Sequence, residues 1–304
     1  MAEVYPCPVK KRVLISGYNG FTGRYVRDAC VSRGWAVFGF GRRAEALPNY
    51  FQADLLLPET LDAMVREVQP HAVVHLAGVS FPAHDDPIEF YNMHVQGTLN
   101  LLSALVRSQC PLQKVLLASS ANVYGNATAG RYDELAPLKP FNDYGVSKLA
   151  MEYMAWLWRN ELPIAIARPF NYTGVGQAGH FLLPKIVAHY RSGAENIELG
   201  NLHVKRDYSD VRNVAEAYCR LLECSDSKGA INVCAGQSHS ASEVLQMMAD
   251  ITGRRMTVSV NPDFVRPGEV EVLYGSHQKL ESMVGTIPWI PLRDTLRWML
   301  DSSF

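Results

Sequence analysis

The sequence predicts an α/β fold, a doubly wound parallel sheet with a smaller α+β lobe toward the C-terminus, and three observations predict it. Short apolar runs bounded by turn residues alternate with helical patterns through the first half of the 304-residue chain, the mark of repeated strand-helix-strand units around a parallel sheet. Gly17, Gly20 and Gly23 stand between the first apolar run and the first helical pattern. After Arg168 the alternation gives way to a stretch punctuated by Pro169, Gly174, Gly176 and Gly179, which reads as an excursion into a second lobe.

The elements follow in order. Strands are expected at Arg12–Ser16, Ala36–Phe40, Ala72–Leu76, Val115–Ser119 and Ile164–Arg168, and helices at Gly23–Arg33, Leu61–Val68, Ile88–Ser108 and Tyr144–Asn160. A helix around Leu183–Arg191 belongs to the excursion, after which a helix at Val211–Cys224 and a strand at Ala230–Cys234 resume the first pattern. The tail, including Ser242–Thr252 and Pro291–Leu300, completes the lobe. The expected division is 10–170 plus about 209–235 for the sheet, and about 171–208 plus 236–304 for the lobe.

Composition narrows the function. With 29 basic against 30 acidic side chains, no global positive field draws the chain to nucleic acid or an anionic membrane. Runs such as Ala72–Ala77 fall far short of the roughly 20 apolar residues a membrane span needs, and the first residues carry no apolar core of a secretory signal. The expectation is a cytoplasmic protein. Six scattered cysteines form no Cys-x-x-Cys pair, so no metal site is expected and the thiols are read as reduced and structural.

Open parallel sheets bind ligands beyond the carboxyl ends of their strands. Gly17, Gly20, Phe21 and Gly23 lie at such an end, where the backbone can bring a pyrophosphate onto a helix N-terminus. The second strand is followed by Gly41-Arg42-Arg43 in place of an acidic residue. Guanidinium groups there suit a 2′-phosphate, so NADP(H) is preferred over NAD(H), with at least one of Arg42 and Arg43 on the phosphate. Ala53-Asp54-Leu55 and His75-Leu76-Ala77-Gly78 are expected to lie where loops flank adenine and ribose, although Asp54 could instead cap a helix.

Tyr144 and Lys148 stand four apart on a predicted helix and share a face. The ammonium is expected to favour the phenolate and bring Tyr144 toward the working pH range, with Lys148 also holding the nicotinamide ribose. Ser120, just past a strand, offers a hydroxyl to the oxygen being reduced. The three make a hydride-transfer site.

Gly17-x-x-Gly20-x-x-Gly23, Ser119-Ser120-Ala121-Asn122-Val123-Tyr124-Gly125, Tyr144-x-x-x-Lys148 and Arg168-Pro169-Phe170-Asn171 occur in that order. Through them the sequence resembles the extended short-chain dehydrogenase/reductase family, nearly end to end. Leu199-Gly200-Asn201-Leu202, Lys205-Arg206-Asp207 and Arg266-Pro267-x-Glu269-Val270 resemble its GDP-mannose 4,6-dehydratase branch and the reductases related to it. The resemblance implies a Rossmann-like cofactor domain and a nucleotide-sugar lobe. It also implies that Asn171 contacts the diphosphate, that Arg206 and Arg266 hold phosphate or nucleotide, and that Glu269 binds the nucleotide ribose. For each of these arginines the alternative is a structural ion pair, with Asp207 a candidate partner for Arg206.

One position departs from that branch. The dehydratases carry a glutamate two residues after the catalytic hydroxyl residue; here it is Asn122, and an amide cannot exchange a proton in that role. Asn122 is grouped instead with the substrate-binding residues. The implied activity is NADPH-dependent reduction of the 4-keto group of GDP-4-dehydro-6-deoxy-D-mannose, giving GDP-D-rhamnose or its 4-epimer. Alternatives are a nucleotide-sugar 4-epimerase with tightly bound NAD, and a regulatory protein that binds dinucleotide without turnover. His180 could face the sugar or be a solvated loop residue. The helices Ile88–Ser108 and Tyr144–Asn160 are apolar enough to suggest a homodimer through a four-helix bundle.

Overall fold

The computed structural model describes residues 10–80, 86–125, 130–265 and 270–302. Seven parallel strands form the main sheet in the order Gly229–Val233, Ile164–Pro169, Lys114–Ala118, Ala72–His75, Arg12–Ser16, Ala36–Gly41, Tyr50–Gln52. Five of these match the strands expected in the first half of the chain to within a residue at either end, and Gly229–Val233 matches the later one. They are apolar throughout because helices cover both faces: Val13, Ile15 and Val74 pack with Val26 and Tyr218 on one side, and Leu14, Val73 and Leu117 with Leu101 and Met151 on the other.

The expected helix Ile88–Ser108 is interrupted. Pro87–Tyr91 is α-helical, Asn92–Gln96 is a π-turn, and Gly97–Ser108 is α-helical again. The Thr98 hydroxyl reaches back 2.6 Å to the His94 carbonyl, and Gly97 passes so near Leu55 that a Cβ would stand 3.0 Å from the Leu55 Cβ. The expected helix Tyr144–Asn160 is shorter, Asp143–Trp156. Its start is set by Asn142, whose side chain accepts from the Gly145 N–H at 2.8 Å, and beyond Trp156 the chain continues in turns toward Pro163.

The second lobe packs Leu182–Arg191, Ala241–Thr252 and Leu292–Asp301 around Ile186, Val187, Met248 and Leu296. A small sheet links it to the first, with Lys205–Asp210 between Ser238–Ser240 and Val272–Gly275 and also paired to Asn171–Thr173. Among the described residues no helix is long and apolar enough to cross a membrane.

Candidate active site

The winding direction reverses between Arg12–Ser16 and Ala72–His75, adjacent strands whose connections leave toward opposite edges. Their carboxyl ends open a crevice there. Gly17 turns with φ +69°, and a Cβ on it would come within 3.0 Å of the Ala77 nitrogen. A Cβ on Gly23 would stand 2.2 Å from the Gly17 carbonyl oxygen, so the helix Phe21–Ser32 can lie this close to the turn only with glycine. Gly20 caps that helix with no side chain, which leaves its first N–H groups to a ligand and fits a diphosphate.

The crevice encloses about 1730 Å³ and runs from this turn into the second lobe. A single small ligand occupies roughly 300–1,000 Å³, so there is room for two. On the sheet side Gly17, Gly20, Phe21, Gly23, Leu55, Leu76, Ala77 and Gly78 line it, as expected from sequence. Arg42 reaches the wall and Arg43 does not. Asp54 also stays off the wall; its carboxylate accepts the Leu56 N–H at 2.9 Å in the turn before the helix Pro58–Val68.

Ser120, Tyr144 and Lys148 meet on this crevice. Ser120 Oγ accepts from the backbone N–H of Asn122 at 3.2 Å and from its side-chain amide at 3.0 Å, and the Tyr144 phenol lines the same crevice. Tyr144 meets Phe90 and His94 edge to face, with ring centroids 5.7 and 5.6 Å away. Burial pushes its phenol up to about 12, against a lowering by Ser120. The sequence expectation of a phenol made acidic by Lys148 is therefore corrected: burial disfavours the phenolate and dominates its shift, and the group acting against this is Ser120 rather than Lys148. Lys148 is itself lowered to about 8 by desolvation, with Glu152 acting the other way, and its Nζ donates to the Ala118 carbonyl at 2.8 Å.

A buried ionic layer fixes the catalytic strand end. Ser119 Oγ donates to Glu152 at 2.5 Å. Arg168 holds the same carboxylate and donates to the Tyr124 hydroxyl at 3.0 Å, which in turn donates to Asn232 at 2.7 Å. Every member is satisfied, the condition under which such a layer specifies one packing.

His75, expected from sequence in a loop flanking the cofactor, is instead buried behind the site, and His94 there was missed. Ser16 Oγ accepts the N–H groups of Leu76 and Ala77, both at 3.0 Å. With both lone pairs used, its proton goes to His75 Nδ1, 2.7 Å away. His75 Nε2 then donates to Thr98 at 3.0 Å, and Thr98 donates to the His94 carbonyl. His75 is neutral, lowered to about 3 by burial and then by Lys148. His94 is buried too, its Nδ1 2.9 Å from Ser147 Oγ. Nothing in a sequence separates these from ordinary core histidines.

On the lobe side Asn122, Asn171, His180 and Arg206 line the crevice. Arg206 Nη1 donates to the carbonyls of Lys205 and Val270 at 2.8 and 2.7 Å. Asp207, its neighbour on the strand, points the other way and takes the N–H groups of Ala235 and Gly236 at 3.0 and 2.8 Å, so Asp207 is not the ion-pair partner of Arg206. Thr22 and Tyr172 join the two lobes by a 2.8 Å hydroxyl contact. Arg266 and Glu269 lie outside the described residues. Among the described residues no three His, Cys, Asp or Glu side chains are grouped to hold a metal.

The family model "NAD dependent epimerase/dehydratase family" matches residues 13–234. The chain belongs to that family. GDP-6-deoxy-D-mannose reductase of Pseudomonas aeruginosa is 33% identical over 95% of this chain and 96% of its own. GDP-6-deoxy-D-talose 4-dehydrogenase of Aggregatibacter actinomycetemcomitans is 31% identical over 90% and 91%. Of solved structures, one from Burkholderia cenocepacia superposes with TM-score 0.90 at 47% identity, covering 96% of this chain and 97% of that one. RMD from Pseudomonas aeruginosa complexed with NADPH superposes with TM-score 0.84 at 31% identity, covering 96% and 98%. This member of the epimerase/dehydratase family is an NAD(P)-dependent oxidoreductase, and its glycine turn, bare helix N-terminus and Arg42 fit a dinucleotide phosphate.

Proposed function

We propose that this enzyme reduces the 4-keto group of GDP-4-dehydro-6-deoxy-D-mannose with NADPH, giving GDP-D-rhamnose or its 4-epimer. The observation that carries the reading is Ser120 and Tyr144 on one crevice, with the side-chain amide of Asn122 on Ser120 Oγ at 3.0 Å, at the position where a dehydratase has a carboxylate. The likeness to the Pseudomonas and Aggregatibacter enzymes supports a GDP-linked deoxysugar.

When bound, the reduced nicotinamide supplies the hydride. Ser120 donates a hydrogen bond to the keto oxygen, and Tyr144 gives its proton to that oxygen as negative charge develops. A phenol raised to about 12 is in the right form to act as an acid at neutral pH. Lys148 holds the cofactor ribose, Arg42 the 2′-phosphate, and Asn171, Arg206, Arg266 and Glu269 the nucleotide sugar. We assign the cofactor to 10–170 with about 209–235, and the nucleotide sugar to the remaining lobe.

Ile88, Val146, Tyr153 and Leu157 are exposed apolar residues on or beside the helices Pro87–Tyr91 and Asp143–Trp156. We assign this face to a homodimer closed by a four-helix bundle; sedimentation at micromolar concentration should give twice the chain mass of 33.9 kDa. The activity is tested by incubating the protein with GDP-mannose, an authentic GDP-mannose 4,6-dehydratase and NADPH. Consumption of NADPH, with NMR of the product sugar to assign C4, is expected; no consumption overturns the reading.

A further inference from the structure

We infer that Asn122 is a positioning residue that sets the direction of the hydrogen bond at Ser120, making that hydroxyl a donor toward the reacting oxygen. The inference rests on the reductase reading and deepens it.

A serine hydroxyl has one proton and two lone pairs. Both lone pairs of Ser120 Oγ are taken, one by the Asn122 backbone N–H at 3.2 Å and one by the Asn122 side-chain amide at 3.0 Å. The proton has to leave on the remaining side, toward the crevice that Ser120 and Tyr144 both line. Tyr144 cannot then donate to Ser120, so its own proton stays available for the substrate. A keto oxygen entering beside both groups meets two donors and no competing acceptor.

The backbone contact alone is an ordinary turn that Ser120 makes as the cap of the short 3₁₀ segment Ala121–Val123. It would leave one lone pair open and the hydroxyl free to accept from Tyr144. The side-chain amide closes that option. A carboxylate at residue 122 would do the opposite, because an ionised acid only accepts: it would draw the Ser120 proton to itself and present a lone pair to the keto oxygen. Asn122 thus has a role in reduction beyond making dehydration impossible, and it acts through Ser120.

Asn122→Asp tests this, since the side chain keeps its shape while its donor becomes titratable. Deprotonated, the introduced carboxylate accepts from Ser120 and reverses the bond; protonated, the same group carries an O–H that can take the place of the amide. The expected result is a kcat at pH 8 at least tenfold below the parent, a KM for the keto sugar within about threefold, and a variant-to-parent kcat ratio that rises as pH falls through the carboxyl pKa. Asn122→Ala, which lacks the donor at every pH, should be slowed with a flat ratio. NADPH binding measured by fluorescence establishes that each variant is folded, and if Asn122→Asp does not bind, Asn122→Ala decides. A flat ratio for folded Asn122→Asp, or parental kcat in Asn122→Ala, overturns the inference. A parent enzyme that does not consume NADPH overturns the reductase reading instead, so the two failures are distinguishable.

Discussion

Arg168 grips Glu152 inside the core, its Nη2 2.6 Å from one carboxylate oxygen and its Nε 2.9 Å from the other. Both side chains are almost sealed from water, and Ser119, one residue before the proposed catalytic serine, hangs from the same carboxylate. Removing one partner leaves a buried charge uncompensated, at a cost of about 3–5 kcal/mol. Glu152→Ala should lose stability on that scale in urea unfolding, and Arg168→Met should do likewise. Because Glu152 also opposes the lowering of Lys148, Glu152→Gln should carry a rate limb that starts at a lower pH than in the parent.

Tyr144→Phe removes the proposed acid without removing the ring that packs on Phe90 and His94. The expected loss in kcat is about 10²–10⁴-fold, the usual share of general acid catalysis. NADPH binding, followed by fluorescence, should change little. Retained turnover would show that another group delivers the proton.

Arg42 reaches the crevice wall while Arg43 does not. Arg42→Ala should raise the KM for NADPH roughly tenfold or more, from about 1.5–3 kcal/mol per hydrogen bond to a charged group, with a much smaller effect on NADH. Arg43→Ala should do little to either. Steady-state kinetics with both cofactors checks the pair of expectations.

Lys148, lowered to about 8, fixes the sign of the pH dependence. Its ammonium is present below that value and is lost as pH rises through it, so kcat/KM for reduction should fall on the alkaline side of about pH 8. A pH profile of Lys148→Arg, which stays charged throughout, should lack that limb at the cost of a lower plateau.

The strands were legible because each is a short apolar run closed by a turn residue, and because a parallel sheet buries both of its faces. The glycine turn was legible from its position, with a strand before it and a helix after it near the start of the chain, more than from its spacing. Sequence could not choose between Arg42 and Arg43, whereas within the candidate site Ser120, Tyr144 and Lys148 could be named because their residue types carry the chemistry. The behaviour of Tyr144 could not: helical spacing put an ammonium on its face, but the sign of the shift depends on how much water the fold excludes. The π-turn at Asn92–Gln96 escaped for a related reason. It answers to Gly97 against Leu55 and to Thr98 bonding back to His94, contacts that no periodicity encodes. Arg206 and Asp207 looked like an ion pair as neighbours in the chain, yet alternation along a strand sends them to opposite sides.

The chain of hydroxyls and imidazole from Ser16 through His75 and Thr98 to the His94 carbonyl can be occupied in one sense only. Its first member is committed by two amides and its last by a carbonyl that can only accept, so the His75 ring is locked as one tautomer. The proton on its Nε2 is sealed from solvent, and in a ¹⁵N-labelled sample it should persist as a sharp, slowly exchanging imidazole resonance across the neutral range. The floor beneath the crevice would then behave as a ratchet held at both ends, leaving adjustment to ligands to the lobe above it.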